Sequence, residues 1–200
     1  MANLSRGGFR WVKNESAPTS TTPPIVYMKV ADDYGTALNI GDPVKRVSDG
    51  TIAACSAGDR IFGIYDGAAQ YYDGSVIRSG PTLPASTSYD TNLERMSIAR
   101  VIPAQGQIFE LDADDGTTAT TQAAHEAFVN ENCEWVAGTA VNGQSGAALD
   151  ISTHATTNTL SLNIVEIPSK SLQDFAASRV KYWVKVNLLD VAGAGVILGV

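Results

Sequence analysis

Gly143-Gln144-Ser145-Gly146-Ala147 sets a serine between glycines in the manner of a nucleophile elbow, with Ala where a last Gly would stand. Asp150 and His154 follow in the order that α/β hydrolases use. A working elbow sits on a sharp strand-to-helix turn and receives its partners from distant loops. Here serine, acid and base fall within ten residues of one polar, Thr-rich stretch. That spacing argues against a relay, and a hydrolase acting through Ser145 is a remote alternative. Asp112-Ala113-Asp114-Asp115-Gly116 has the look of a calcium loop, but the EF-hand pattern needs Gly at the sixth position and Glu at the twelfth. This segment has Gly116 fifth and Ala123 twelfth, so it is expected to be an acidic turn that ends a strand.

Other metal and cofactor chemistry is no better supplied. His125 and His154 have no neighbour at ligand spacing, and Cys55 and Cys133 are far apart. Structural zinc needs four clustered ligands and a disulfide framework needs more cysteines, so both thiols are expected free and buried. No Gly-rich phosphate loop occurs. The expectation is a non-enzyme with no cofactor and no metal.

Composition narrows the class further. The chain has 200 residues, of which 44% are hydrophobic and only 18% charged, with a net charge of −7. Nucleic-acid binding begins with a basic footprint, which the chain as a whole lacks. The charge is uneven, however. Residues 1–24 hold Arg6, Arg10 and Lys13 against Glu15, a net of +2 that leaves −9 on the remainder. Met1–Lys13 has no apolar core of signal-peptide length, and the apolar run Val186–Val200, broken by Asp190 and three glycines, is too short to span a bilayer. Neither secretion nor membrane insertion is expected.

The elements that would carry these residues are strands. Residues 1–24, with Gly7-Gly8 and a Ser/Thr/Pro run to Pro24, read as an extended arm that nevertheless carries Phe9 and Trp11. From Ile25 onward short apolar runs alternate with turn signals. Val44–Val47 and Thr51–Ala54 flank Ser48-Asp49-Gly50, a hairpin whose Asp-Gly suits a type I′ turn. Ile61–Tyr65, Val76-Ile77, Met96–Ile102 and Gln107–Leu111 read as further strands, and Pro81–Ser88 as a loop between two lobes. Thr120–Val129 is the one segment with a helical reading. The strongest strand signals come last: Leu160, Leu162 and Ile164, then Val180, Tyr182, Val184, Val186 and Leu188, all at period two. The expected fold is all-β, antiparallel sandwich or barrel lobes with an N-terminal arm: arm 1–24, first lobe 25–88, second lobe 89–200 with an apolar tail. On the last strand Lys181, Trp183 and Lys185 should project from the polar face.

One cadence carries a resemblance. Gly41-Asp42-Pro43-Val44, the Asp49-Gly50 turn, the short strand Thr51–Ala54 and Gly58-Asp59-Arg60-Ile61-Phe62-Gly63-Ile64 follow one another. Further on come Arg100–Pro103, Ile108–Leu111, Gly143–Gly146, Leu149-Asp150, Leu160–Val165 and Val184–Asn187. Across residues 37–187 this resembles the head decoration, or cement, proteins of tailed bacteriophages. The resemblance implies a structural virion protein on the capsid outer surface, made in the host cytoplasm, with the major capsid protein and its own copies, as a homotrimer, for partners. It implies no catalytic residues, and the charge and hydropathy above lead to the expectation of no nucleic acid and no membrane partner. The capsid or subunit contacts expected are Arg6, Phe9, Arg10 and Trp11 on the arm, since aromatics and Arg are common interface anchors, with Lys181, Trp183 and Lys185. The alternatives are another virion part, such as a tail or head-fibre base, or a carbohydrate-binding β-sandwich using Tyr71-Tyr72 or Trp183 as a sugar platform.

Overall fold

The computed structural model describes residues 7–30, 35–73, 76–85, 97–114, 119–168, 170–176 and 179–190. In chain order its strands are β1 (Arg10–Asn14), β2 (Val26–Val30), β3 (Leu38–Asn39), β4 (Pro43–Arg46), β5 (Ile52–Ala54), β6 (Gly63–Asp73), β7 (Val76–Gly80), β8 (Thr82–Leu83), β9 (Ser97–Pro103), β10 (Gln107–Asp112), β11 (Asn132–Val136), β12 (Ala148–Ala155), β13 (Leu162–Glu166) and β14 (Lys181–Val186). One short helix, α1 (Gln122–Glu126), lies between β10 and β11. The fold is all-β, as the alternating runs predict.

The first lobe is a closed barrel. Its strands run β4-β5-β2-β9-β6, β4 pairs back onto β6, and β7 hangs on the outer edge of β6. All these pairings are antiparallel except one parallel contact, Val30 of β2 against Ile52 of β5. Period-two alternation decides what fills it. Tyr65, Ala99 and Val101 join Val30, Val44 and Ile52 in one core, while Ile64 and Ile102, one step along the same strands, join the core of the second lobe. The β4–β5 hairpin is present, but its turn differs from the expected type. Only Gly50 takes positive φ (84°), and its amide donates to the Val47 carbonyl while the Asp49 carboxylate accepts from the Thr51 amide and hydroxyl. A single left-handed residue after a tight turn is the bulged hairpin, and it leaves Asp49 unstrained.

The second lobe is a six-stranded antiparallel sheet in the order β1-β10-β14-β13-β11-β12. A parallel bridge between Ala113 and Leu149 curls the far end of β10 toward β12. Phe109, Leu111, Leu149, Ile151, Leu162, Ile164, Tyr182 and Val184 fill its concave side. The chain passes between lobes at Ala104–Gly106, where the Gln107 amide donates to the Ala104 carbonyl. β9 belongs to the barrel sheet, so that sheet takes in residues beyond the expected boundary at 88; residues 86–88 of the Pro81–Ser88 loop lie outside the described residues. The helix is shorter than the Thr120–Val129 reading: Thr121 caps it through the Ala124 amide, and turns carry the chain on to Asn130 at φ 72°.

The N-terminal segment corrects the arm reading most. Arg10–Asn14 is an edge strand of the second sheet, paired with β10 as Arg10↔Glu110 and Trp11↔Phe109. Ahead of it, Gly7-Gly8-Phe9 runs through a slot between the lobes. The Gly8 amide donates to the Ala147 carbonyl (2.7 Å) and the Phe9 amide to the Gly41 carbonyl (3.0 Å). A Cβ at Gly7 would stand 2.2 Å from the Ser145 carbonyl oxygen, and one at Gly8, which sits at φ +83°, 2.7 Å from Ser145 Cβ. These glycines are therefore required by close backbone approach, and they do not mark a loose tail.

Candidate functional site

β14 turns its alternation into two faces. Tyr182, Val184 and Val186 point into the core, while Lys181, Trp183 and Lys185 are half-buried on the outer face. Register then chooses their neighbours. Asp112 of β10 stands opposite Lys181, and Trp183 lies between Glu110 of β10 and Glu166 of β13. β1 adds Arg10 opposite Glu110.

The outcome is a strip of paired charges around one indole. Arg10 Nη2 reaches Glu110 Oε1 (3.0 Å) and Asp112 Oδ1 (2.5 Å), and Lys181 Nζ reaches Glu110 Oε1 (3.5 Å). Lys185 Nζ stands 4.0 Å from Glu15 Oε1, and Lys13 Nζ lies 4.6 Å from the centroid of the Trp183 ring. The Asp112 side chain is completely buried. Its carboxylate is paired with the Arg10 guanidinium. Trp183 Nε1 is out of solvent and has no hydrogen-bond partner among the described residues.

The expected contacts thus divide. Lys181, Trp183 and Lys185 share the outer face, as period two predicts. Phe9 does not reach outward. It is 3% exposed and stands edge-on to both Phe109 (6.1 Å between ring centroids) and Trp135 (6.5 Å), so it belongs to the core. Trp11 packs against the same core and its Nε1 donates to Gln107 Oε1 (2.8 Å). Arg10 is engaged by the two carboxylates. Phe9 is thus buried and Trp11 partly buried against the core of the second sheet. Arg6 and the apolar tail from Val191 onward lie outside the described residues.

The residues of potential chemistry are dispersed. Ser145 is buried, and its hydroxyl oxygen accepts from the Ala147 amide (3.0 Å). Asp150 accepts from the Ser152 hydroxyl (2.6 Å), and His154 Nδ1 pairs with Glu131 (2.5 Å). The three side chains therefore face separate partners and form no relay. Burial pushes the Cys55 and Cys133 thiols well above their ordinary range, which keeps them protonated. Among the described residues no group of three or more His, Cys, Asp or Glu side chains could hold a metal ion, and no helix is long and apolar enough to cross a membrane.

Sequence reading missed one surface. From Trp135 to Leu149 the chain carries no charged residue. The β11–β12 connection exposes much of that stretch, including Val136 and Val141 (63% exposed). Val76 and Ile77 on the edge strand β7 are also exposed. The run without Asp, Glu, Lys or Arg was the available signal. The loop holds its shape by backbone contact, since a Cβ at Gly138 would lie 2.2 Å from the Gly146 carbonyl oxygen.

No protein-family model, no curated protein and no solved structure matches the chain.

Proposed function

We propose that this chain is a non-enzymatic structural protein of a tailed-phage head, binding the outer capsid surface and stabilising it. The observation that supports the reading is that the first block of the resembling cadence, residues 41–64, falls on adjoining strands of one sheet, while its later blocks continue onto β9 and the second sheet. Pro43-Val44 opens β4, Asp49-Gly50 is its turn, Thr51–Ala54 spans β5, and Gly63-Ile64 starts β6. These are strands of the closed barrel. The partners in this reading are the major capsid protein and two further copies of the chain, since closed threefold symmetry suits a local threefold lattice position.

Two surfaces suit protein contact. One is the uncharged β11–β12 loop with Val136 and Val141; the other is the outer face with Lys181, Trp183 and Lys185. The sugar-platform alternative is weakened at Trp183, because Lys13 already lies over its ring. The test is occupancy on capsids lacking this protein, comparing wild type with Val136→Asp/Val141→Asp and with Lys181→Glu/Lys185→Glu. Losing burial of two valines, at about 1.5 kcal/mol each, weakens binding by roughly a hundredfold. Full occupancy by both variants, each with unchanged melting temperature, contradicts the assignment of these surfaces.

A further inference from the structure

The contacts of residues 7–24 fall into two blocks. Residues 7–15 bond to the body: Gly8 to Ala147, Phe9 to Gly41 and the Phe109/Trp135 rings, Arg10 to Glu110 and Asp112, Trp11 to Gln107, Lys13 to Trp183, and the Glu15 amide to the Gly106 carbonyl. Residues 16–24 contrast with this. The hydrogen bonds found there are local: Asn14 Oδ1 accepts from the Ser16 and Ala17 amides, the Ser20 amide donates to the Ala17 carbonyl, and the Ser20 hydroxyl donates to the Thr22 carbonyl. Nearly every side chain of this strap is exposed, and it contains Pro18, Pro23 and Pro24.

A segment seated in a shaped slot, joined to the body by a strap whose hydrogen bonds are all local, has the anatomy of an exchangeable element. The slot is built entirely from residues 40 onward, so it is the same whichever copy fills it. Closed and exchanged forms share every contact except the path of the strap, and domain swapping is a low-cost route to oligomers for that reason. Paired prolines favour an extended strap, which suits reaching a neighbour as well as folding back.

We propose that residues 7–14 dock in trans, into the slot and along β10 of a second copy of this chain, in an oligomer held by exchanged N-terminal strands. The inference does not require the capsid reading, and it supplies a structural route to the self-association that reading includes. It also gives these residues a way to hold a neighbour while remaining buried.

Cross-linking across the β1–β10 register tests it. The full chain is prepared with Lys13→Cys/Ile108→Cys and, separately, with Asn14→Cys/Gln107→Cys, both pairs being Cα partners. Single-cysteine variants control for Cys55 and Cys133. After refolding at increasing concentration and oxidation, covalent oligomers are expected on a non-reducing gel. Their share should rise roughly tenfold for tenfold more chain while the products remain mostly monomeric, as a bimolecular step requires. Cross-linked monomer alone at every concentration, in both pairs, overturns the proposal. A second variant lacking residues 17–22 shortens the strap by up to about 20 Å. It is expected to fold as an oligomer with native circular dichroism, and a folded monomer or an unfolded chain counts against exchange.

Discussion

His125 Nδ1 lies 2.5 Å from the Tyr182 hydroxyl, with the imidazole fully buried beneath α1. Nε2 faces two carbonyl oxygens, Ala119 (3.0 Å) and Phe175 (3.3 Å), so Nε2 carries the proton and Nδ1 accepts from the tyrosine. One ring thus ties the helix, β14 and the loop after Lys170 together in a neutral form. Phe128 and Phe175 close around it, at 6.1 and 5.5 Å between ring centroids.

That geometry fixes the sign of a pH effect. Burial lowers the His125 pKa below its ordinary value of 6.5, against the two carbonyls that favour the proton. The unfolded chain therefore binds a proton more readily than the folded one. The stabilisation is fully present above about pH 6.5 and is lost as pH falls through the folded value. Urea midpoints measured from pH 7.5 to 5 should fall for wild type and fall less for His125→Gln. Parallel curves would remove His125 as the source.

Phe9→Ala should destabilise the isolated protein by about 3 kcal/mol or more, as loss of a buried aromatic ring requires. Gly8→Ala should cost about 1–3 kcal/mol, because a side chain at φ +83° is strained and meets Ser145. Chemical denaturation measures both. An unchanged midpoint for Phe9→Ala would return this residue to the exposed arm.

Arg10→Gln removes the guanidinium that bridges Glu110 and the buried Asp112 carboxylate. The expected loss is about 3 kcal/mol, as breaking a buried ion pair from one side requires. Adding Asp112→Asn should recover part of that loss. A double-mutant cycle with no coupling would show that the pair acts independently.

How far the sequence disclosed this arrangement depends on the range of each signal. Alternation in β14 is local, so the face shared by Lys181, Trp183 and Lys185 was legible, and the Asp49-Gly50 hairpin was legible for the same reason. The partners of that face were not. Glu110, Asp112 and Arg10 arrive through cross-strand register, which no local pattern encodes. β12 was hidden because its apolar period stops at Ile151 and continues as Ser152-Thr153-His154. β1 was hidden because Gly7-Gly8 and the following strap have the composition of a tail, while the tertiary slot that needs those glycines is assembled from residues 41 and 145–147.

We propose that this protein sits on the outside of a phage head. The most direct measurement is quantitative mass spectrometry of density-purified heads, combined with surface labelling of intact particles by an antibody to this chain. A fixed copy ratio of this chain to the major capsid protein is expected, with label on the head exterior. Purified heads free of the chain, or label confined to tails, would contradict it.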